Sequence, residues 1–250
     1  GRGPGGGAPG LRAGGRAGRR REGRALKIAH AGGVAGAAAA EGAVVVIDVF
    51  RAFSVSAYAL AGGATCCRLV REVSELRQLA ARLPGSVTSA EVDGYPVEGI
   101  PISNSPTQIS EADLRGRVLV QRTSAGTQAM TAATRADRRY AGSLVVAGAT
   151  VRAIRESGAE QVTLVASRAD HEEDLACARL LELLLRGQPP PADLLDALLA
   201  SPRYRELSSG ERAGFPATDC ELALITDRFD FAMPVEEDAL GIRVTAQPAL

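Results

Sequence analysis

Four short clusters along this chain carry side chains suited to phosphate chemistry. The first is Asp48-Val49-Phe50-Arg51. Its carboxylate can bind a hard cation or attack phosphorus, and its guanidinium can hold oxyanions in a fork. Equally, Asp48 can cap a helix while Arg51 faces solvent. The second, Asn104-Ser105-Pro106-Thr107-Gln108, reads as a capping box with proline in the first helical turn. Its backbone amides also offer an anion site, with Asn104 just outside. The third places Arg122 before Thr123-Ser124-Ala125-Gly126-Thr127, small residues that let backbone approach a phosphate. It lacks the lysine and the glycine spacing of a P-loop. The fourth is Glu173-Asp174, acids that either favour a helix start or complete an oxygen shell with Asp48, joined by Glu91.

Such groups work together only if strand-to-helix loops collect them. Residues 43–49 (AVVVIDV) form a β-branched run without alternation, which predicts a strand buried on both faces. A helix over 51–61 ends at Gly62-Gly63, followed by a strand over 65–70, a helix over 73–83 and a turn at Pro84-Gly85. Residues 86–91 read as a weaker strand and 93–105 as a Gly/Pro-punctuated loop. Helices are expected over 105–114, 125–134, 151–157 and 172–186, and strands over 117–122, 143–147 and 161–166. Three further helical stretches fill 193–226, and 230–234 and 242–245 read as closing strands. This alternation calls for an α/β fold, three layers α/β/α around a mixed, largely parallel sheet. In such folds ligands bind at the carboxyl ends of the strands, where all four clusters fall.

Charge narrows the function. The chain is neutral overall, but residues 1–24 hold seven arginines against one glutamate, so residues 25–250 carry a net −6. An acidic body argues against a general polyanion binder, and no aromatic-bearing basic surface points to nucleic acid. It suits an enzyme that recruits a cation to handle an anionic substrate. The Gly/Arg-rich stretch 1–24 has almost no large apolar residue and is expected to be disordered, leaving residues 25–250 as a single domain. Cys66, Cys67, Cys177 and Cys220 form no C-x-x-C pair and stand at no zinc-ligand spacing from His30 or His171; they read as reduced packing residues. No apolar run approaches the roughly 18 residues of a membrane span, so the expected compartment is the cytoplasm. Oligomeric state stays open, a homodimer included.

The motifs DVFRAF (48–53), EVDG (91–94), NSP (104–106), RTSAGTQ (122–128) and EDLACA (173–178) occur in an order and at intervals that carry a family resemblance. Together they resemble the 2-phosphosulfolactate phosphatases, magnesium-dependent acid phosphatases of coenzyme M biosynthesis with bacterial relatives. DRFDFAMPV (227–235) is similar to the ending of the actinobacterial branch. The resemblance spans residues 43–235. It implies the α/β/α fold and hydrolysis of (2R)-2-phospho-3-sulfolactate to (2R)-3-sulfolactate and phosphate. From their own chemistry, Asp48, Asp174, Glu173 and Glu91 are the candidate Mg2+ ligands, and Asp48 and Arg51 the candidate catalytic pair. Asn104, Ser105, Arg122, Thr123, Ser124, Gly126 and Thr127 are the candidate substrate contacts. Direct attack by Asp48 and attack by a metal-bound water are both open. One departure stands out: the family usually carries an acid and a glycine where this chain has Pro101 and Ser103. A relative that binds a phosphorylated or sulfonated metabolite without turning it over is the alternative reading.

Overall fold

The computed structural model describes residues 1, 3 and 26–248. The expectation for residues 1–24 therefore lies, apart from Gly1 and Gly3, outside the described residues. In chain order the elements are β1 (Lys27–Gly32), α1 (Gly33–Ala39), β2 (Gly42–Ile47), α2 (Ala52–Ala61), β3 (Cys66–Val70) and α3 (Val73–Arg82). Next come β4 (Val87–Val92), β5 (Tyr95–Pro96), α4 (Pro106–Glu111), β6 (Val118–Arg122), α5 (Gly126–Ala132) and β7 (Ala136–Gly142). The chain continues through α6 (Ala147–Glu156), β8 (Gln161–Ala166), α7 (Glu172–Leu185), α8 (Asp196–Leu199), α9 (Pro202–Ser208) and α10 (Thr218–Ala223). It closes with β9 (Phe231–Ala232), β10 (Pro234–Asp238), β11 (Gly241–Val244) and β12 (Gln247–Pro248).

Ten strands form one mixed sheet in the order β1-β8-β2-β7-β10-β11-β3-β6-β4-β5. β1, β8, β2 and β7 run parallel to one another, as do β3, β6 and β4. The antiparallel hairpin β10–β11 is spliced between these two parallel sets. Three antiparallel steps separate β7 from β3, so the two sets start out in opposite senses. The residues that follow β2, β8 and β6, with the end of β4, nevertheless line one cleft.

The run in β2 behaves as a doubly buried strand. Val44 and Val46 pack with Phe53, Val55 and Met130 on one face; Val45 and Ile47 pack with Ile154, Leu164 and Leu181 on the other. That alternation is the two-residue period of a pleated strand, with helices covering both faces. The second parallel set repeats it, Leu119 facing α2 and its neighbours and Val120 facing Leu76 and Leu79 of α3. Residues Ala52 to Leu60 of α2 are all buried. A helix apolar on every side belongs in the interior, and its two serines are satisfied there. Ser54 Oγ donates to the Val49 carbonyl, and Ser56 Oγ donates to Gln121 Oε1.

One strand expectation is corrected. Residues 143–147 are not a strand: Leu144–Val146 form a 3-10 turn leading into α6, and the strand is the preceding Ala136–Gly142. A short apolar run is buried equally well as strand or helix start, so periodicity could not separate them. β7 was hidden by its charges, Arg138 and Arg139, the latter paired with Glu237 on β10. The edge strand β1 and the helix α1 had no sequence expectation. All four cysteines are free and buried. Among the described residues no helix is long and apolar enough to cross a membrane.

Candidate active site

Asp48 follows the last residue of β2 and is buried. Its Oδ1 accepts the Ala52 amide at 2.9 Å, so it caps the first turn of α2. Its Oδ2 lies over Gly126, where an added Cβ would stand 2.6 Å away. Capping therefore uses one oxygen of the carboxylate and leaves the other out of that bond. Burial, followed by the charges of Glu91 and Glu173, lifts its pKa to about 7, against the Ala52 amide and Ser167, which favour the ionised form. Asp174 is likewise pushed well above the usual carboxylate range, by burial first and by Asp48 next.

The other acids are tied to the protein. Asp174 Oδ1 accepts the Val49 amide at 2.8 Å, and its Oδ2 accepts the amide and hydroxyl of Ser167, which clamps the ends of β2 and β8 together. Glu173 is fully buried and receives the Arg203 guanidinium on both oxygens at 2.8–3.1 Å. Burial lowers the Arg203 pKa, but the hydrogen bonds and charge of Glu173 outweigh it and leave the group above its usual value. Glu91 accepts the Ser124 amide at 2.5 Å on Oε1, and the Gly94 amide and Ser124 hydroxyl on Oε2.

Both helix starts expected to cradle phosphate already hold an internal carboxylate. At α4, Asp219 Oδ1 accepts the Thr107 amide at 3.0 Å and the Ser105 hydroxyl at 2.6 Å. The remaining capping bond runs from the Gln108 amide to Ser105 Oγ. Before α5, Glu91 takes the Ser124 amide, while Thr123 and Thr127 cap each other through amide-to-hydroxyl bonds. Arg122 is spent on the carbonyls of Glu91 and Arg71. Of the expected substrate contacts, Asn104 and Ser124 line the cleft, whereas Ser105, Arg122, Thr123, Gly126 and Thr127 stand behind it. Asn104 Oδ1 accepts Gln121 Nε2 at 3.0 Å, and its Nδ2 has no protein partner among the described residues.

Arg51 reaches the cleft but is also committed. It pairs with Asp219 at 2.8 Å, donates to the Gly214 carbonyl at 2.5 Å and lies 4.0 Å above the Phe215 ring. Burial pushes its pKa down and Asp219 opposes that shift. The Gly214 carbonyl also accepts Ser103 Oγ at 2.6 Å, so the departure at 103 anchors the loop between α9 and α10. Pro101 lies away from the cleft, in a separate surface hollow with Thr88 and Glu111.

The cleft encloses about 360 Å³, the small end of the range for ligand sites. Besides Asp48, Arg51, Glu91, Asn104 and Ser124, it is lined by Arg168, His171, Arg203 and Arg212, which the sequence motifs do not include. A larger hollow of about 660 Å³ lies at the opposite, amino ends of β2 and β8 and gathers none of the motif residues. His171 precedes α7; burial and then Arg203 lower its pKa, which keeps the ring neutral. The Arg168 guanidinium pairs with Asp170 at 3.5 Å and is more than half exposed.

Among the described residues no group of three or more Asp, Glu, His or Cys side chains is arranged to hold a metal. Glu91, Glu173 and Asp174 already spend their oxygens on the protein donors named above. The donor set that fits is smaller. Magnesium is commonly held by one or two carboxylates, with water and substrate phosphate completing its shell. Asp48, a buried carboxylate at the cleft wall in a surplus of negative charge, meets that requirement.

Residues 33–222 match the family model described as 2-phosphosulpholactate phosphatase. A Bacillus subtilis (strain 168) protein named probable 2-phosphosulfolactate phosphatase is 27% identical over 198 residues, covering 78% of this chain and 87% of its own length. A Thermoplasma acidophilum protein of the same name is 29% identical over 185 residues, covering 73% and 81%. One from Caldicellulosiruptor saccharolyticus is 32% identical over 165 residues, covering 63% and 68%.

Proposed function

Because this chain belongs to the 2-phosphosulpholactate phosphatase family, we propose that it hydrolyses a small phosphorylated acid, in the first place (2R)-2-phospho-3-sulfolactate. The observation that supports this most directly is the pairing of charges in the cleft. A carboxylate held near pKa 7 by burial and by acidic neighbours asks for a cation, and the positive side chains around the cleft ask for an anionic substrate. A phosphate monoester brought in with Mg2+ answers both.

Each group then has a task. Asp48 offers Oδ2 to the reacting end of the substrate, while Oδ1 stays on the Ala52 amide and fixes its direction. Magnesium bound at Asp48 would supply Lewis-acid neutralisation of the phosphoryl oxygens. Asn104 presents an amide N–H held in place by Gln121, and Ser124, its hydroxyl proton given to Glu91, braces the wall beside it. Arg203 stays paired with Glu173 and lends positive potential without leaving it. These fixed donors contribute by positioning and electrostatics, the main terms in phosphoryl transfer. Water enters, the P–O ester bond breaks, and the ester oxygen leaves as the hydroxyl of the acid.

Phosphate release from 2-phosphosulfolactate and from p-nitrophenyl phosphate, measured in EDTA and then with added magnesium, tests the reading. Release should vanish in EDTA and return with magnesium. Undiminished release in EDTA would remove the metal from the proposal. No release under either condition would leave a binding protein, with calorimetry on 3-sulfolactate as the deciding measurement.

A further inference from the structure

Arg212 enters the cleft from the loop between α9 and α10, a segment outside all five motifs. One bond fixes it: Nη2 donates to the Asp93 carbonyl at 2.8 Å. Its guanidinium lies 5.1 Å from the Tyr95 ring centroid, and Glu206, 70% exposed, comes no nearer than 3.9 Å. Its Nε is buried without an acceptor. Guanidinium carries five N–H donors in a planar fork, so most of this one's capacity is unspent.

Two neighbouring features show that the placement is built. Gly94 has φ +81°, and a side-chain carbon there would collide with Arg212 Nη2. Gly214, two residues on, is pinned through its carbonyl by Arg51 and Ser103. The other cleft arginines differ: Arg51 is 2% exposed and paired through Nη1 with Asp219 and the Gly214 carbonyl, Arg203 is paired with Glu173, and Arg168 is more than half exposed. Arg212 is only 26% exposed, so its charge is less screened than that of Arg168.

We infer that Arg212 is the specificity-determining residue of this cleft: its unspent N–H groups receive the oxyanion, sulfonate or carboxylate, that the substrate carries besides its phosphate. The inference rests on the phosphatase reading for where the phosphate goes, and deepens it by naming what reads the rest of the substrate.

Four phosphate esters separate the contributions: 2-phosphosulfolactate with both extra oxyanions, 2-phospholactate with only the carboxylate, phosphoethanesulfonate with only the sulfonate, and p-nitrophenyl phosphate with neither. In Arg212→Gln, kcat/KM for 2-phosphosulfolactate should fall about 10- to 100-fold, mostly through KM, as expected for losing a charged hydrogen bond. Turnover of p-nitrophenyl phosphate should stay within about twofold. Whichever single-anion ester loses more identifies the oxyanion that Arg212 reads. Arg212→Lys, which keeps the charge but not the fork, should show an intermediate loss, and carries the test if the Gln variant fails to fold. Equal losses on all four esters, or no loss on any, would overturn the inference. Should the wild type hydrolyse none of them, the phosphatase reading fails separately. Calorimetric binding of 3-sulfolactate to wild type and Arg212→Gln then decides: binding lost in the variant supports the role, and equal or absent binding overturns it.

Discussion

Arg51 and Asp219 stand 168 positions apart in the chain and form an ion pair at 2.8 Å in which neither side chain is more than 2% exposed. Asp219 also holds the start of α4 through Ser105 and Thr107, so one carboxylate joins three segments around the cleft. Breaking one side of a buried pair strands the other charge, which typically costs about 3–5 kcal/mol. Asp219→Ala should therefore destabilise by that amount in denaturant unfolding. A loss below about 1 kcal/mol would show that the pair is not what holds this corner.

Asp48 makes metal-free stability depend on pH. Its folded pKa of about 7 lies above the ordinary 3.8, so between these values the folded protein retains a proton that the unfolded chain has released. Stability from this group is fully present below pH 4 and is lost as pH rises through 7, on the order of 4 kcal/mol in all. In EDTA, Asp48→Asn should flatten the fall in Tm between pH 5 and pH 8, while activity with magnesium drops by orders of magnitude. Parallel Tm curves for the two proteins would refute the assignment.

Gly126 is required by contact. An added Cβ would stand 2.6 Å from Asp48 Oδ2 and 2.7 Å from Ala52 Cβ. Alanine normally stabilises a helical position by up to about 1 kcal/mol over glycine. Here Gly126→Ala should instead destabilise by about 1–3 kcal/mol, the usual cost of overpacking, and displace Asp48 enough to abolish turnover. A stabilised or fully active variant would mean that α5 can retreat.

Asn104 combines a left-handed backbone, φ +58°, with a side chain bonded to Gln121. Asn104→Ala should lose about 1–3 kcal/mol from backbone strain and an unpaired Gln121 together. Asn104→Gly removes the same side chain but relieves the backbone, so its stability should be higher by about 1 kcal/mol. Both should lose substrate affinity to a similar extent. Unequal affinities would assign the effect to backbone geometry rather than to the amide.

Sequence alone determined the alternation of elements, the doubly buried β2, the three helical stretches within residues 193–226 and the order of motifs that carries the family. Each is a local property: hydrophobic period, a cap, a glycine after a helix, a proline within its first turn. It also placed Asp48, Glu91, Asn104 and Ser124 at strand ends that prove to share one cleft. Tertiary structure decided which donors there remain free. Ser105 and the α4 amides suit a phosphate by type, yet Asp219, more than 110 residues later, already occupies them. Arg122 and Arg51 suit oxyanions, yet Arg122 is bonded to backbone carbonyls and Arg51 is paired with Asp219, while Arg212 makes a single hydrogen bond, to the Asp93 carbonyl. A local pattern specifies which groups a segment carries; whether a partner from elsewhere in the chain satisfies them first depends on how helices and loops pack, and local periodicity does not encode that.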